Sequence, residues 1–519
     1  MDQRLEEHWR ALALGIALLL MGVGAFALSF AYDEPVETER LGRNVPVNSG
    51  APDPADISAN NSPTLVRSPT NPRNLVVANR IDSPRYSCGL HVSSNAGATW
   101  SQTPVPAPEG ERICYAPDIA FGRDGTLYLS FVTLRGAGNV PNAVWLAESG
   151  DGGRSFSKPE RVHGKLAFQV RLAADPRELR RLYMTWVQGS EIGIYSFGET
   201  GNPIQTMRSD DGGASWERPV QSNSPADERA LAPTSAVGPE GNLYVLYLDL
   251  GDDRLDYEGA HRGRGGPPYN GHWKLVIARS RDRGMTWTHS NIDERIVPTE
   301  RIIPFIPPYP SLSVDGDSGR LYAAYEDARL GDSDVWLWTL PRGGARWEGP
   351  TRVNDTPERD RTAQYRPKLD VAPDGRLDVL YYDRRADRRN VMNEVSFQSS
   401  FDSGESFTNR LLLSNKPFSS RVGFGFEREL PDIGSRLGLE STSERALAVW
   451  TDTRAGTTET KKQDIAQTVV ALSEPERLSR SAELSLRLGG IGVGLLGILA
   501  IAFASIPGVR RLVESVVRR

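Results

Sequence analysis

Three short strings have the residue types to grip an anion. They are Asp327-Ala328-Arg329, Asp383-Arg384-Arg385 and Asp452-Thr453-Arg454, with Asn79-Arg80 a faded relative. Tyr382 stands directly before the second of them. A guanidinium is a planar fork of donors, so several around one opening can hold a carboxylate or a sulfate bidentately. That makes Arg329, Arg384, Arg385, Arg454, Asp327, Asp383, Asp452 and Tyr382 ligand-binding candidates. Recurrence argues the other way, because a unique site rarely needs copies. An Asp–Arg pair repeated for packing between units produces the same pattern. Asp332 and Asp334 offer oxygens to a Ca²⁺ ion, but an ordinary turn accounts for them, and no metal or cofactor is expected.

Other chemistries lack their residues. The six histidines are scattered. There is no His-Glu-x-x-His, no Gly-x-Ser-x-Gly and no glycine loop of the phosphate-cradling kind. The formal net charge of −5 implies no polyanionic partner, so nucleic acid is not expected.

The elements that must position these strings repeat. Ser209-Asp210-Asp211-Gly212-Gly213-Ala214-Ser215-Trp216 recurs from Ser93, Ser149, Ser280 and Ser400, and in worn form near Thr339, Gly343 and Trp347. The pattern is Ser-x-Asp-x-Gly-x-Ser/Thr-aromatic, at intervals of about 56 to 71 residues, near the length of a propeller blade. Asn95, Asp151, Asp211, Asp282 and Asp402 occupy the Asp place, and Trp100, Phe156, Trp216, Trp287 and Phe407 the aromatic place. The chemistry is that of a turn. The carboxylate accepts backbone N–H groups ahead of it, the Gly takes angles that a Cβ forbids, and the aromatic ring is buried between sheets. These acids are therefore read as structural.

The strings resemble the Asp-box repeats of sialidase-like β-propellers and cover nearly all of residues 62 to 416. Sialidase activity, as the resemblance defines it, needs a Phe/Tyr-Arg-Ile-Pro string in the first blade, three arginines, a Tyr–Glu nucleophile and an Asp acid/base. The first blade reads Ser62-Pro63-Thr64-Leu65-Val66-Arg67-Ser68-Pro69 instead. Tyr365-Arg366-Pro367 is a fragment of that string, in the sixth blade. Arg329, Arg384 and Arg454 are the residues that could mimic the three arginines.

Each repeat reads as four short alternating strands. A Pro opens the first, as at Pro117 and Pro310, and a Leu-Tyr pair marks the second, as at Leu127-Tyr128 and Leu321-Tyr322. Blades start near 62, 116, 167, 231, 308, 365 and 430. The seventh lacks a box and a fourth strand. Asn44-Val45-Pro46-Val47-Asn48 resembles Thr351-Arg352-Val353-Asn354 and can supply that strand. The fold expected is all-β, a seven-bladed β-propeller over 62–473, with six blades the alternative. The long segments Asp249–His272, Gln188–Pro203 and Ile292–Pro310 are further binding candidates, on the face opposite the boxes.

Two uncharged apolar runs bracket the propeller, Ala11–Ala31 and Leu488–Ile506, at 21 and 19 residues. Each is long enough for a transmembrane helix. The first also fits a signal peptide cleaved after Ser29-Phe30-Ala31. Arg510, Arg511, Arg518 and Arg519 place the tail 507–519 in the cytoplasm. Residues 1–10 then lie there too, with the connector 32–61, the propeller and the linker 474–487 outside. Gly490, Gly494, Ala11, Gly15 and Gly22 suit two packed spans, and two independent anchors remain open. Cys88 and Cys114, the two cysteines of the chain, would pair as a disulfide in an oxidising compartment, free thiols being the alternative. The function expected is a membrane-anchored binding or scaffold module for a surface glycan or a membrane-protein partner. The alternative is an exo-sialidase-like glycoside hydrolase.

Overall fold

The computed structural model describes residues 3–31, 37–48, 57–111, 113–136, 138–192, 198–253, 269, 271–298, 308–423, 433–473 and 480–506. The basic tail 507–519 and the centres of the three long segments (193–197, 254–268 and 299–307) lie outside the described residues. Two units result, residues 1–39 with 472–519, and residues 40–471.

The smaller unit is a pair of helices, Gln3–Ala31 and Arg480–Ser505. Their apolar windows, Trp9–Ala27 and Leu484–Ser505, have the length and composition to cross a membrane. The helices pack on each other through glycine. A Cβ on Gly22 would lie 2.5 Å from the Gly494 nitrogen and 2.6 Å from the Gly490 carbonyl oxygen. Gly15 meets Gly497 and Ile501 in the same way. Absent side chains let the two backbones approach, which is where small residues gain their packing energy.

The larger unit is a seven-bladed β-propeller, and the six-bladed alternative is excluded. Seven antiparallel sheets follow one another around the ring, the sixth extended by Phe418–Ser419. First strands of successive blades touch and wall a central channel. The seventh sheet is closed by the N-terminal strand Glu37–Pro46 beside Asp464–Ser473. Val47 donates its N–H to the Ile465 carbonyl at 2.7 Å, and the Asn48 amide oxygen accepts the Ile465 N–H at 2.8 Å. Val353 and Asn354 make the same bonds to Val335, at 2.9 and 2.8 Å. The likeness of the two segments was thus a likeness of hydrogen bonding, and it leaves no open edge at the seam.

The box turns repeat in detail. In each, the opening Ser hydroxyl accepts the Gly N–H and donates to the Asp or Asn side chain: 2.8 and 2.8 Å at Ser209, 2.7 and 2.8 Å at Ser280. The same acceptor takes the N–H four residues on, 2.9 Å from Ser215 and from Thr286. The Gly stands at φ +95° at positions 153 and 213. A Cβ on Gly213 would strike Leu146 of the preceding blade, and one on Gly404 would strike Leu337. The Gly thus provides both the left-handed backbone and the room for the neighbouring sheet. The aromatics do pack between sheets: Trp100 lies against a core cluster shared by the first and seventh blades, and Phe156 against one shared by the first and second.

These bonds set an acid limit. The Ser215 and Thr286 hydroxyls hold Asp211 and Asp282 down at about 2. His91, buried against Asn79, is pushed down to about 4 by burial. As pH falls, the unfolded chain takes up His protons below 6.5 and Asp protons below 3.8, whereas the native protein does so only near 4 and 2. Native stability contributed by these groups is present at neutral pH and is lost downward. We expect Tm to decline first between pH 6.5 and 4, by about 3 kcal/mol of stability through His91, and again toward pH 2. A scanning-fluorimetry profile flat from pH 7 to 3 would exclude this account.

Cys88 and Cys114 form a disulfide across a separation of 26 residues, joining the first blade to the second. Closing a loop of that length stabilises by about 3 kcal/mol in the chain-entropy model.

Candidate functional site

The candidate arginines are engaged locally. The Arg329 Nε donates to Asp327 at 2.8 Å, and its head sits over the Trp336 and Trp338 rings. Arg385 bonds Asp383 at 2.6 Å and Asp355 at 2.6 Å, and Arg454 bonds Asp452 at 2.8 Å. The Asp also caps its own turn, taking the N–H of Arg329, Arg385 or Arg454 at 2.7 to 2.9 Å. Each pair therefore clamps the end of a second strand. Arg384 is buried and donates to Asn393, Tyr365 and Ser420. Tyr382 is fully buried, with its hydroxyl on the Thr451 carbonyl. No pair of these three clamps shares a ligand-facing contact among the described residues. Asp334 is taken by Arg352 and Asn354. No group of three acidic, His or Cys side chains suited to a metal occurs among the described residues.

The channel wall is different, and its geometry starts from the edge problem. A first strand pairs on one side only, so its other N–H groups need partners. Side chains from the adjoining blade supply them. Asp118 accepts the Leu172 N–H at 3.0 Å, Gln169 that of Ala232 at 2.8 Å, and Ser311 that of Leu369 at 2.9 Å. Glu326 accepts the Arg366 N–H, and Asp370 that of Ser441, each at 2.6 Å. Five first strands also carry a bulge after a residue at positive φ, namely Ser62, Ala116, Gln169, Ala232 and Arg366. A bulge re-aims the residues that follow it. It also admits Pro, which has no N–H for a ladder; hence Pro63, Pro117, Pro233 and Pro367 directly after four of the five.

A cavity of about 70 Å³ lies against this wall, bounded by residues of six blades. Four of its residues are cationic: Arg171, Arg366, Lys368 and Arg436. Thr64 and Tyr309 add hydroxyls. Asp118 sits among them but is committed. It accepts Thr64 at 3.1 Å and lies 3.4 and 3.5 Å from Arg171 and Arg436. Arg366 is 2 % exposed, and none of its three guanidinium nitrogens has a hydrogen-bond partner. Its guanidinium stands 5.6 Å from the Tyr365 ring, and the Glu326 carboxylate is held on its backbone N–H. Burial lowers the pKa of Lys368, and Arg171 adds to the effect while Asp370 opposes it.

Beyond Lys368 along the strands the lumen turns acidic. Asp370 is pushed up to about 6 by burial, against the pull of Lys368. Glu440 is pushed up to about 8, by burial and then by Asp370. The Glu440 side chain is 24 % exposed, but to a narrow lumen walled by protein, so desolvation still governs it. Arg67 faces it at 3.6 Å.

Of the residues lining the cavity, Tyr309 and Pro310 fall in a sequence candidate, the segment Ile292–Pro310, and the rest of the wall was not among the candidates. Its signal was nevertheless present: the Pro that opens several blades immediately precedes Thr64, Asp118, Thr234, Ser311 and Lys368.

No family model matches the chain. No curated protein matches it either. Among solved structures, it is similar to a protein of unknown function from Dyadobacter fermentans, at 14% identity and a TM-score of 0.45, over 84% of this chain and 99% of that one. It is similar to an ulvan lyase, a polysaccharide lyase bound to -[GlcA(1-4)Rha3S]-, at 11% identity and a TM-score of 0.46, over 83% and 98%. A Hadza microbial sialidase aligns at 14% identity and a TM-score of 0.40, over 79% and 75%. At such identities the likeness is one of fold.

Proposed function

We propose that this protein is a membrane-anchored binding module whose propeller, held outside the cytoplasm, takes an acidic glycan into its central channel. The observation that carries the reading is Arg366. A buried guanidinium without a partner costs several kcal/mol. It stands in a cavity with three further cations and two hydroxyls. A carboxylate or sulfate ester entering there would give it the bidentate partner it lacks. The acid among the cavity's cations is already occupied, Asp118 by hydrogen bonds from Thr64 and the Leu172 N–H and by ion pairs with Arg171 and Arg436. That favours holding an anion over hydrolysing a glycoside.

Three features support the setting. Two apolar helices pack through glycine. The one disulfide suits an oxidising compartment. The repeated turns fit placement among the Asp-box propellers, many of which bind without cleaving.

Full-length protein in a neutral detergent is expected to be retained on arrayed glycans bearing carboxylate or sulfate and not on neutral ones. Retention independent of glycan charge would overturn the reading. Stoichiometric co-purification of a membrane protein, with no glycan retained, would replace it with the scaffold role.

A further inference from the structure

We infer that the channel is a proton-linked anion site, in which Asp370 and Glu440 weaken anion binding when ionised and strengthen it when protonated. The inference rests on the proposed anion reading of the cavity. It comes from the arrangement of the lumen. Lys368 lines the cavity, and Asp370 lies two residues further along the same bulged strand, on the same face by the period of a strand. Glu440 is on the first strand of the seventh blade, beside Asp370 through the Ser441 N–H bond. The acids therefore border the cations that would meet the ligand.

The charges facing this pair can be named element by element. The sixth blade contributes Lys368 and Asp378, the latter locked onto Arg376. The first blade contributes Arg67 against Glu440. Arg171 and Asp118, from the third and second blades, act on Lys368. Asp378 is fully buried and tied to two serine hydroxyls besides Arg376. The remaining two acids face the lumen and are crowded together, and each holds its proton more tightly than usual. Both should thus change charge between about pH 8.5 and 5, the window given by values of about 8 and about 6. Falling pH adds up to two positive charges to the lumen while Arg366 and Arg171 stay cationic. Across roughly 8 Å at an effective dielectric near 20, one such charge is worth about tenfold in anion affinity after screening.

The test uses full-length protein in neutral detergent and inorganic sulfate as the probe. Sulfate keeps its charge over this range, so any pH dependence belongs to the protein. We expect the Kd for sulfate to fall about tenfold or more from pH 8.5 to 5.5. Calorimetry in Tris and in imidazole, cationic buffers of different ionisation enthalpy, is expected to show proton uptake on binding near pH 7. Asp370→Asn with Glu440→Gln should bind at pH 8.5 as tightly as wild type does at 5.5, with the proton uptake gone. Sulfate binding with a Kd independent of pH would overturn the linkage and leave the anion reading standing. No binding at either pH would overturn both. The calorimetry on wild-type protein decides the matter even if the double variant fails to fold.

Discussion

Arg376→Ala is expected to lower the unfolding free energy of the propeller by about 3–5 kcal/mol, the cost of stripping one partner from a buried ion pair. Arg376 and Asp378 are 2 % and 0 % exposed. The guanidinium forks onto Asp378 with bonds of 2.9 and 2.9 Å. Its remaining donors reach the carbonyls of Ser443 at 3.0 Å and Thr442 at 2.7 Å, in the seventh blade. Asp378 also accepts the hydroxyls of Ser399 at 2.6 Å and Ser441 at 2.8 Å. One residue thus joins the sixth blade to the seventh. The junction matters because the seventh blade has no box turn and completes its sheet with a strand from the far end of the chain. Removing the guanidinium leaves a buried carboxylate without its counter-charge, held by two serine hydroxyls alone, and takes a donor from each of two carbonyls. Urea unfolding followed by tryptophan fluorescence checks the result, provided the m-value is unchanged. A midpoint within error of wild type would mean that water replaces the guanidinium without loss.

Arg366→Met is expected to do two opposite things. It should abolish anion retention, with at least a tenfold rise in the Kd for sulfate, and it should raise stability by about 1–4 kcal/mol. The stem of Arg366 packs in the wall, and Met keeps most of that volume. What is removed is a buried guanidinium whose nitrogens have no hydrogen-bond partner among the described residues and which stands against the Tyr365 ring. The backbone stays at φ +52°, a strain that Arg and Met bear alike. A gain in Tm with a loss of binding is the signature of a site kept at the expense of the fold. A drop in Tm with binding intact would mark Arg366 as a structural residue and remove the main support for the anion reading. Arg366→Lys keeps the charge and loses the fork, so its binding should fall between the two.

Much of this protein was legible in the sequence, because local physics wrote it there. The box turns are closed by hydrogen bonds between residues four apart, such as Gly213 to Ser209 and Ser215 to Asp211. A short-range cause leaves a short-range string, and its spacing gave the blades. The closing strand was readable for the same reason, since Val47-Asn48 and Val353-Asn354 bond their neighbours alike. The Asp–Arg strings were also visible, and in the structure an Arg of each string bonds the Asp of that string. Arg329, Arg385 and Arg454 each lie two residues from an Asp that is already within reach, so they fold back as clamps.

The channel site could not be read the same way. Arg171, Arg366 and Arg436 are separated by 195 and 70 positions and have unlike neighbours in the chain. They meet because seven first strands are brought around one axis, and because the bulges turn the following residues toward it. The unpaired guanidinium of Arg366 is likewise invisible in sequence, since its burial belongs to the closed ring and the nearby acid, Glu326, is spent on the Arg366 backbone N–H. The sequence determined the turns, the blades and the apolar helices, because each depends on residues a few positions apart. The tertiary structure alone decided which charges were spent locally and which were left facing the lumen, because that depends on what the other blades bring to the same place.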